Sequence, residues 1–208
     1  MNQEKSKMIE RVISNSHKNI AGMIVLKNGS TLYEGYFNKC NADSRIHVYS
    51  VSKSVISILI GIAIDKGYIK NINQKILEFF PSYIPKKNEK TIQDITLKDM
   101  LTMIVPYKYK FPPYTHIKYF MSNDWLKFTL DLLGGKKPVG KFKYTPIIGP
   151  DIFSGILVNA TGQSVLDFAN ENLFSPLGIP VEGNIVFNTA KEQFSFNKAK
   201  QVKKDRFQ

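Results

Sequence analysis

The residues best placed to do chemistry are Ser50 and Lys53, in the run Tyr49-Ser50-Val51-Ser52-Lys53. Residues three apart share one helical face, so the lysine amine is predicted one turn above the serine hydroxyl. A serine at a helix N-terminus gains from orphan backbone N–H groups, which favour developing negative charge. A lysine beside apolar surroundings is pushed toward its neutral, proton-accepting form. The pair therefore reads as nucleophile and base. A plainer reading is available: Ser50 caps a core helix while Lys53 snorkels to solvent. The same spacing recurs at Ser195 and Lys198, in a polar stretch with no apolar run behind it.

The element that must position the pair runs on to Ile69. From Val55 to Ile64 only Ser57 is a polar side chain, which predicts a helix buried on all sides, with Gly67 as its C-cap. Ahead of it, residues 4–16 read as an amphipathic helix with Met8, Ile9, Val12 and Ile13 on one side. Ala21 to Leu26 and Thr31 to Phe37 read as strands about Asn28-Gly29, the strongest short-range hairpin signal. Behind it, Asn73 to Phe80 reads as a short helix stopped by Pro81, and Pro81 to Asp94 as a polar loop. Thr96 caps a helix through Met103. Pro106 to Thr115 reads as a long aromatic loop, packed by tyrosines 107, 109, 114 and 119. Asp124 to Leu133 is amphipathic, and Lys136 to Tyr144 is a basic loop. Pro150 opens a helix through Asn159, and Ser164 caps another through Phe174.

Composition bounds the function classes. The 208 residues, 43% hydrophobic and 22% charged, suit a globular chain that buries about 70% of its unfolded surface. The formal charge of +12 comes from 26 lysines and only 3 arginines. Nucleic-acid readers lean on arginine for bidentate contacts, so a nucleic-acid partner is not expected. Lone Cys40 excludes an internal disulfide. The N-terminus lacks an apolar signal region, and the run at 55–64 is too short to span a bilayer. The expected location is the cytoplasm, unless a leader has been removed. His17, His47 and His116 are isolated, no spacing suggests a metal site, and no glycine loop suggests phosphate binding. No cofactor is expected.

Several segments together resemble one family. They are Tyr49 to Ser54 with the helix to Gly67, Ile95 to Met103, Asn123-Asp124-Trp125, and Gly140 to Tyr144. Ser154 to Gln163 and Phe168 to Ile179 complete the set. In order and spacing these blocks are similar to serine hydrolases of the β-lactamase and penicillin-binding-protein type, in particular the class C group. That group includes DD-peptidases, esterases and 6-aminohexanoate-dimer hydrolases. The resemblance covers about residues 20 to 180. It implies an α+β, β-lactamase/transpeptidase-like fold: an N-terminal helix and β-hairpin with a helical sub-domain. It also implies one hydrolase domain over 1–188, followed by a charged tail over 189–208. By the same resemblance Ser50 is the acylated nucleophile, Lys53 its proton partner, and Tyr144 the tyrosine of the second motif. The implied substrate is a small molecule or peptide with an amide, β-lactam or ester bond.

The sequence departs from the family's pattern in three ways. The second motif reads Tyr144-Thr145-Pro146, and proline brings no donor. Ile104-Val105-Pro106 stands where relatives carry small residues and glycine. The strands that in relatives bear a Lys-Thr-Gly or His-x-Gly motif have no counterpart here. Losing the oxyanion donor on that strand typically costs about 100- to 1,000-fold in rate. A C-terminally truncated family member of weak activity is therefore expected, with the hairpin edge and one face of the Ser50 helix left uncovered. The competing reading is a catalytically impaired remnant that binds a ligand or partner.

Overall fold

A computed structural model describes residues 3–44, 46–87, 89–108, 112–135, 137–145 and 149–179. The charged tail and Pro146 lie outside the described residues, as does Tyr109. The chain divides into two compact units, Met1–Tyr49 and Ser50–Gln208.

The first unit is α1 (Gln3–Ser16) with an antiparallel hairpin of β1 (Gly22–Lys27) and β2 (Ser30–Tyr36). Asn28 and Gly29 take φ of 49° and 77°. A two-residue turn needs both in the left-handed region if its twist is to match that of the strands. Lys27 pairs with Ser30, and between Leu26↔Thr31 and Val25↔Tyr33 the register slips, leaving Leu32 as an extra residue. Ile13 of α1 packs with Tyr33 and Phe37, flanked by Ile9, Ile20 and Val25. Met8 and Val12, expected on that same face, are exposed. Among the described residues the sheet has these two strands alone.

The second unit is helical. α2 (Val51–Asp65) supplies Leu59, Ile60 and Ala63 to its core, and α6 (Pro150–Thr161) supplies Ile152, Ile156 and Leu157. These two helices pack on each other, and α5 (Trp125–Leu132) packs on α6. A Cβ at Gly155 would press on Leu126 and Phe80 at about 3.0 Å, so this glycine lets α5 approach α6 closely. Asn159 donates from Nδ2 to the Phe79 carbonyl at 2.9 Å, tying α6 to a 3-10 turn at Ile76–Phe79. α3 (Leu97–Leu101) is held by a capping box between Thr96 and Asp99. α4 (Pro112–Met121) and α7 (Val165–Ala169) complete the set, α7 running on into a π turn at Asn170–Phe174. Trp125 is core, at 5% exposed.

Four expectations are corrected. α2 is not buried all round: Val51, Ser54, Ile58, Gly61 and Asp65 form an exposed stripe, with Ile58 50% exposed. Their spacing of three and four places them on one face, opposite the face that α6 covers. An apolar side chain on that stripe reads like a core residue, which is why the sequence suggested full burial. The region after Asn73 forms only the 3-10 turn, because local side chains and a bridge take its backbone groups. Asn71 Oδ1 accepts the Asn73 N–H, Lys75 bridges Thr96, and the Ile76 N–H donates to the Ile95 carbonyl. The helix expected from Thr96 to Met103 stops at Leu101, where Met103 turns left-handed at φ 56°. The aromatic loop gives way to α4 at Pro112, since prolines tolerate a first turn that has no partner for their missing N–H.

Candidate active site

Ser50 stands at the N-cap of α2 with φ −72° and ψ 0°, and its side chain makes no cap hydrogen bond. Its hydroxyl is engaged elsewhere. Lys53 donates from Nζ to Ser50 Oγ at 3.0 Å, and the Tyr144 phenol donates to the same oxygen at 2.9 Å. Lys53 Nζ also lies 5.8 Å from the centroid of the Tyr144 ring. The structure thus brings together the three residues singled out from the sequence. Lys53 is half-buried and turned onto Ser50, so the snorkelling alternative does not describe it.

Tyr144 arrives from 94 residues away, on a segment without regular structure. Three contacts hold that segment. The Lys143 N–H donates to the Met103 carbonyl and the Gly140 N–H to the Ile104 carbonyl, each at 2.9 Å. Thr145, the next residue, is 2% exposed and hydrogen-bonded to the Tyr107 phenol, which burial pushes up to about 12. The left-handed Met103 after α3 therefore has a use. It aims its own carbonyl and that of the following residue at the loop that carries the tyrosine. The block from Ile95 to Met103, which takes no direct part in chemistry, positions Tyr144 through its backbone.

These features agree with comparisons to known proteins. Residues 9–182 match the family model described as Beta-lactamase. The chain belongs to the beta-lactamase family. A search of curated protein sequences gives no match. Among solved structures, FmtA from Staphylococcus aureus superposes with a TM-score of 0.63 at 16% identity, over 85% of this chain and 49% of that one. A penicillin-binding protein homologue from Caulobacter crescentus gives 0.61 at 16% identity, over 83% of this chain and 47% of that one. The octameric penicillin-binding protein homologue from Pyrococcus abyssi gives 0.55 at 17%, over 86% and 43%. At such identities the likeness is one of fold. The chain spans about half the length of these structures. Among the described residues no helix is long and apolar enough to cross a membrane.

One buried charged group of the helical unit escaped the sequence reading. Asp151, in the first turn of α6, is 3% exposed. Its Oδ2 accepts a hydrogen bond from the Tyr119 phenol at 2.8 Å. Burial pushes its carboxyl up to about 6, against the opposing pull of that hydrogen bond and of the Lys53 charge. An acid two residues into a helix reads from sequence as an ordinary complement to the helix dipole. Tyr119 reads as loop packing, yet it lies on α4 beneath Trp125 and Phe128, at ring distances of 5.7 and 6.1 Å. His47 accepts the Tyr49 N–H at Nδ1 and stacks on that ring, a local arrangement within its own turn.

Proposed function

We propose that this chain is a serine hydrolase that forms an acyl-enzyme on Ser50 with an amide, β-lactam or ester substrate. The observation that carries the reading is the convergence of Lys53 Nζ and the Tyr144 phenol on one serine oxygen, at 3.0 and 2.9 Å. Hydrogen-bond reach of this kind is what general base catalysis needs before any other property matters. Attack forms a bond from Ser50 Oγ to the carbonyl carbon. The hydroxyl proton passes to whichever of Lys53 and Tyr144 is in its basic form, and from the pair to the leaving nitrogen or oxygen as its bond to carbon breaks. Water then releases the acid and restores the hydroxyl. Because the two partners share one oxygen, their protons belong to the cluster as a unit. The start of α2 adds backbone N–H groups and the positive end of the helix dipole where the oxyanion develops.

The neighbours named for penicillin binding suggest a β-lactam as probe, and a fluorophosphonate serves for serine hydrolases at large. Intact mass after incubation is expected to rise by one adduct, mapped to the peptide holding Ser50 and absent from Ser50→Ala. An unlabelled wild type with both reagents refutes the acyl-enzyme reading.

A further inference from the structure

The loop that carries Tyr144 follows α5 by way of Gly134 and Gly135, at φ of 83° and 116°. Two glycines in succession give a chain little stiffness of its own, yet Tyr144 arrives within hydrogen-bond reach of Ser50. We propose that Glu89 is a positioning residue: with Lys108 it latches the base of this loop to the segment 103–108, and so holds the Tyr144 phenol on Ser50. Its part in catalysis rests on the reading of Ser50 as nucleophile.

The segment 103–108 fastens the loop at both ends. At the base, the Gly134 N–H donates to the Pro106 carbonyl at 2.9 Å and the Lys108 N–H to the Leu132 carbonyl at 2.8 Å, about an antiparallel bridge of Tyr107 and Leu133. At the far end, the carbonyls of Ile104 and Met103 receive the N–H groups of Gly140 and Lys143. Glu89 closes the base from outside this ladder. Its side chain is turned inward, 7% exposed, with Lys108 Nζ on Oε2 at 2.9 Å and the Ile92 N–H on Oε1 at 3.3 Å. Ile92 is itself 0% exposed, so the carboxylate is tied to the core. On its other side lies the glycine pair. The Gly135 N–H donates to the carboxylate, a Cβ on Gly134 would overlap it, and one on Gly135 would stand 3.2 Å from the Lys108 side chain. The Thr91 hydroxyl adds a bond to the Gly135 carbonyl at 2.8 Å. Ion pairs open to solvent, such as Lys75 with Asp94, contribute little. A carboxylate enclosed by an ammonium and backbone N–H groups is stronger and directional, and it defines one position for Gly134 and Gly135. From there the ladder carries the constraint to Met103 and hence to Lys143, the residue before Tyr144. A shift of about 1 Å at a catalytic group costs on the order of a hundredfold in rate, so a latch remote from the chemistry has leverage on it.

Two readouts on the full chain test this. The first needs no chemistry: hydrogen exchange by mass on peptides covering 137–144, where the Ile104 and Met103 carbonyls protect the Gly140 and Lys143 amides. Exchange there is expected to quicken at least about tenfold in Glu89→Gln and in Lys108→Met. It should stay as in wild type in Lys108→Arg, which keeps the cation, and in Leu59→Ala, which weakens the core without touching the latch. The second is Ser50 labelling by a fluorophosphonate, resolved into reversible affinity and the rate of the bonding step. Glu89→Gln and Lys108→Met should slow the bonding step roughly ten- to a hundredfold at nearly unchanged affinity, and Lys108→Arg should restore it. Unchanged exchange over 137–144 in both latch variants overturns the assignment. So does equal quickening in Leu59→Ala, the mark of a global loss of stability, or a loosened loop with an unchanged bonding step. A loosened loop in the variants when wild type takes no label upholds the latch and removes the hydrolase reading instead. Lys108→Met, on the more open partner at 31% exposed, keeps the test available should Glu89→Gln fail to fold.

Discussion

Tyr144→Phe separates chemistry from architecture more cleanly than removal of the nucleophile. The substitution deletes a single oxygen. The ring remains, 49% exposed, with Lys53 Nζ 5.8 Å from its centroid. The segment stays pinned by the backbone N–H groups of Lys143 and Gly140 and by the Thr145 hydroxyl, and none of these three contacts involves the Tyr144 phenol. What goes is one hydrogen bond, 2.9 Å long, between exposed groups. Such a bond contributes about 0.5–1.5 kcal/mol to stability at most, and water readily replaces it at the surface. If the phenol relays the serine proton, its loss removes a general acid–base contribution of roughly 10²- to 10⁴-fold. That corresponds to about 2.7–5.5 kcal/mol of barrier. The two magnitudes differ enough to be told apart. The assay is the rate of adduct formation on Ser50, followed by intact mass, beside a urea denaturation of the same preparation. The expected result is a rate at least about a hundredfold lower at nearly unchanged stability. A variant labelled within about threefold of wild type would refute the role given to the phenol, since that difference is well under 1 kcal/mol.

Two further outcomes concern the scaffold. Leu59→Ala, at a position 0% exposed, should cost about 2–5 kcal/mol in urea denaturation, whereas its neighbour Ile58→Ala, on the open stripe of α2, should stay within about 0.5 kcal/mol; a cost near 2 kcal/mol at Ile58 would mean that this stripe is covered in solution. Glu89 sits nearly buried: burial raises its carboxyl, but Lys108 at 2.9 Å and the N–H groups of Gly135 and Ile92 outweigh that and hold it below the usual carboxylate range. Its stabilisation is thus present above the unfolded value and lost as pH falls through the lowered folded one. Glu89→Gln should cost about 1.5–3 kcal/mol at pH 7 and progressively less on acidification below about 4.5, and a pH-independent difference would contradict this.

The local signals were legible where one short stretch decides the outcome. Asn28-Gly29 gave the hairpin turn, Thr96 and Ser164 gave their caps, and the three-residue spacing of Ser50 and Lys53 gave a contact of 3.0 Å. Tyr144 was found through its likeness to a family motif, because nothing local says that a tyrosine 94 residues on will reach Ser50. Burial was legible only on average. Ile58 and Leu59 are equally apolar in sequence, and only the packing of α6 distinguishes the exposed one from the buried one. The aromatic loop misled for a related reason. Pro112-Pro113 marks a helix start as readily as a break, and the residues from Tyr114 to Met121 decide for the helix. Met103 carried no signal at all. A methionine at φ 56° is uncommon, and its purpose becomes visible only once its carbonyl is seen receiving Lys143.

Two carboxylates of the helical unit, half-buried Glu89 and buried Asp151, are treated in opposite ways by the fold. Glu89 meets an ammonium and two backbone N–H groups, and its carboxyl is lowered; ionisation favours the folded state. Asp151 meets one phenol, keeps an oxygen without a hydrogen bond, and is raised to about 6. The sign of its linkage is opposite. Between its ordinary value of 3.8 and about 6 the folded state holds more protons than the unfolded one, so stability falls as pH rises across that window. At neutral pH the fold carries the Asp151 charge at a cost that an asparagine or leucine there would avoid.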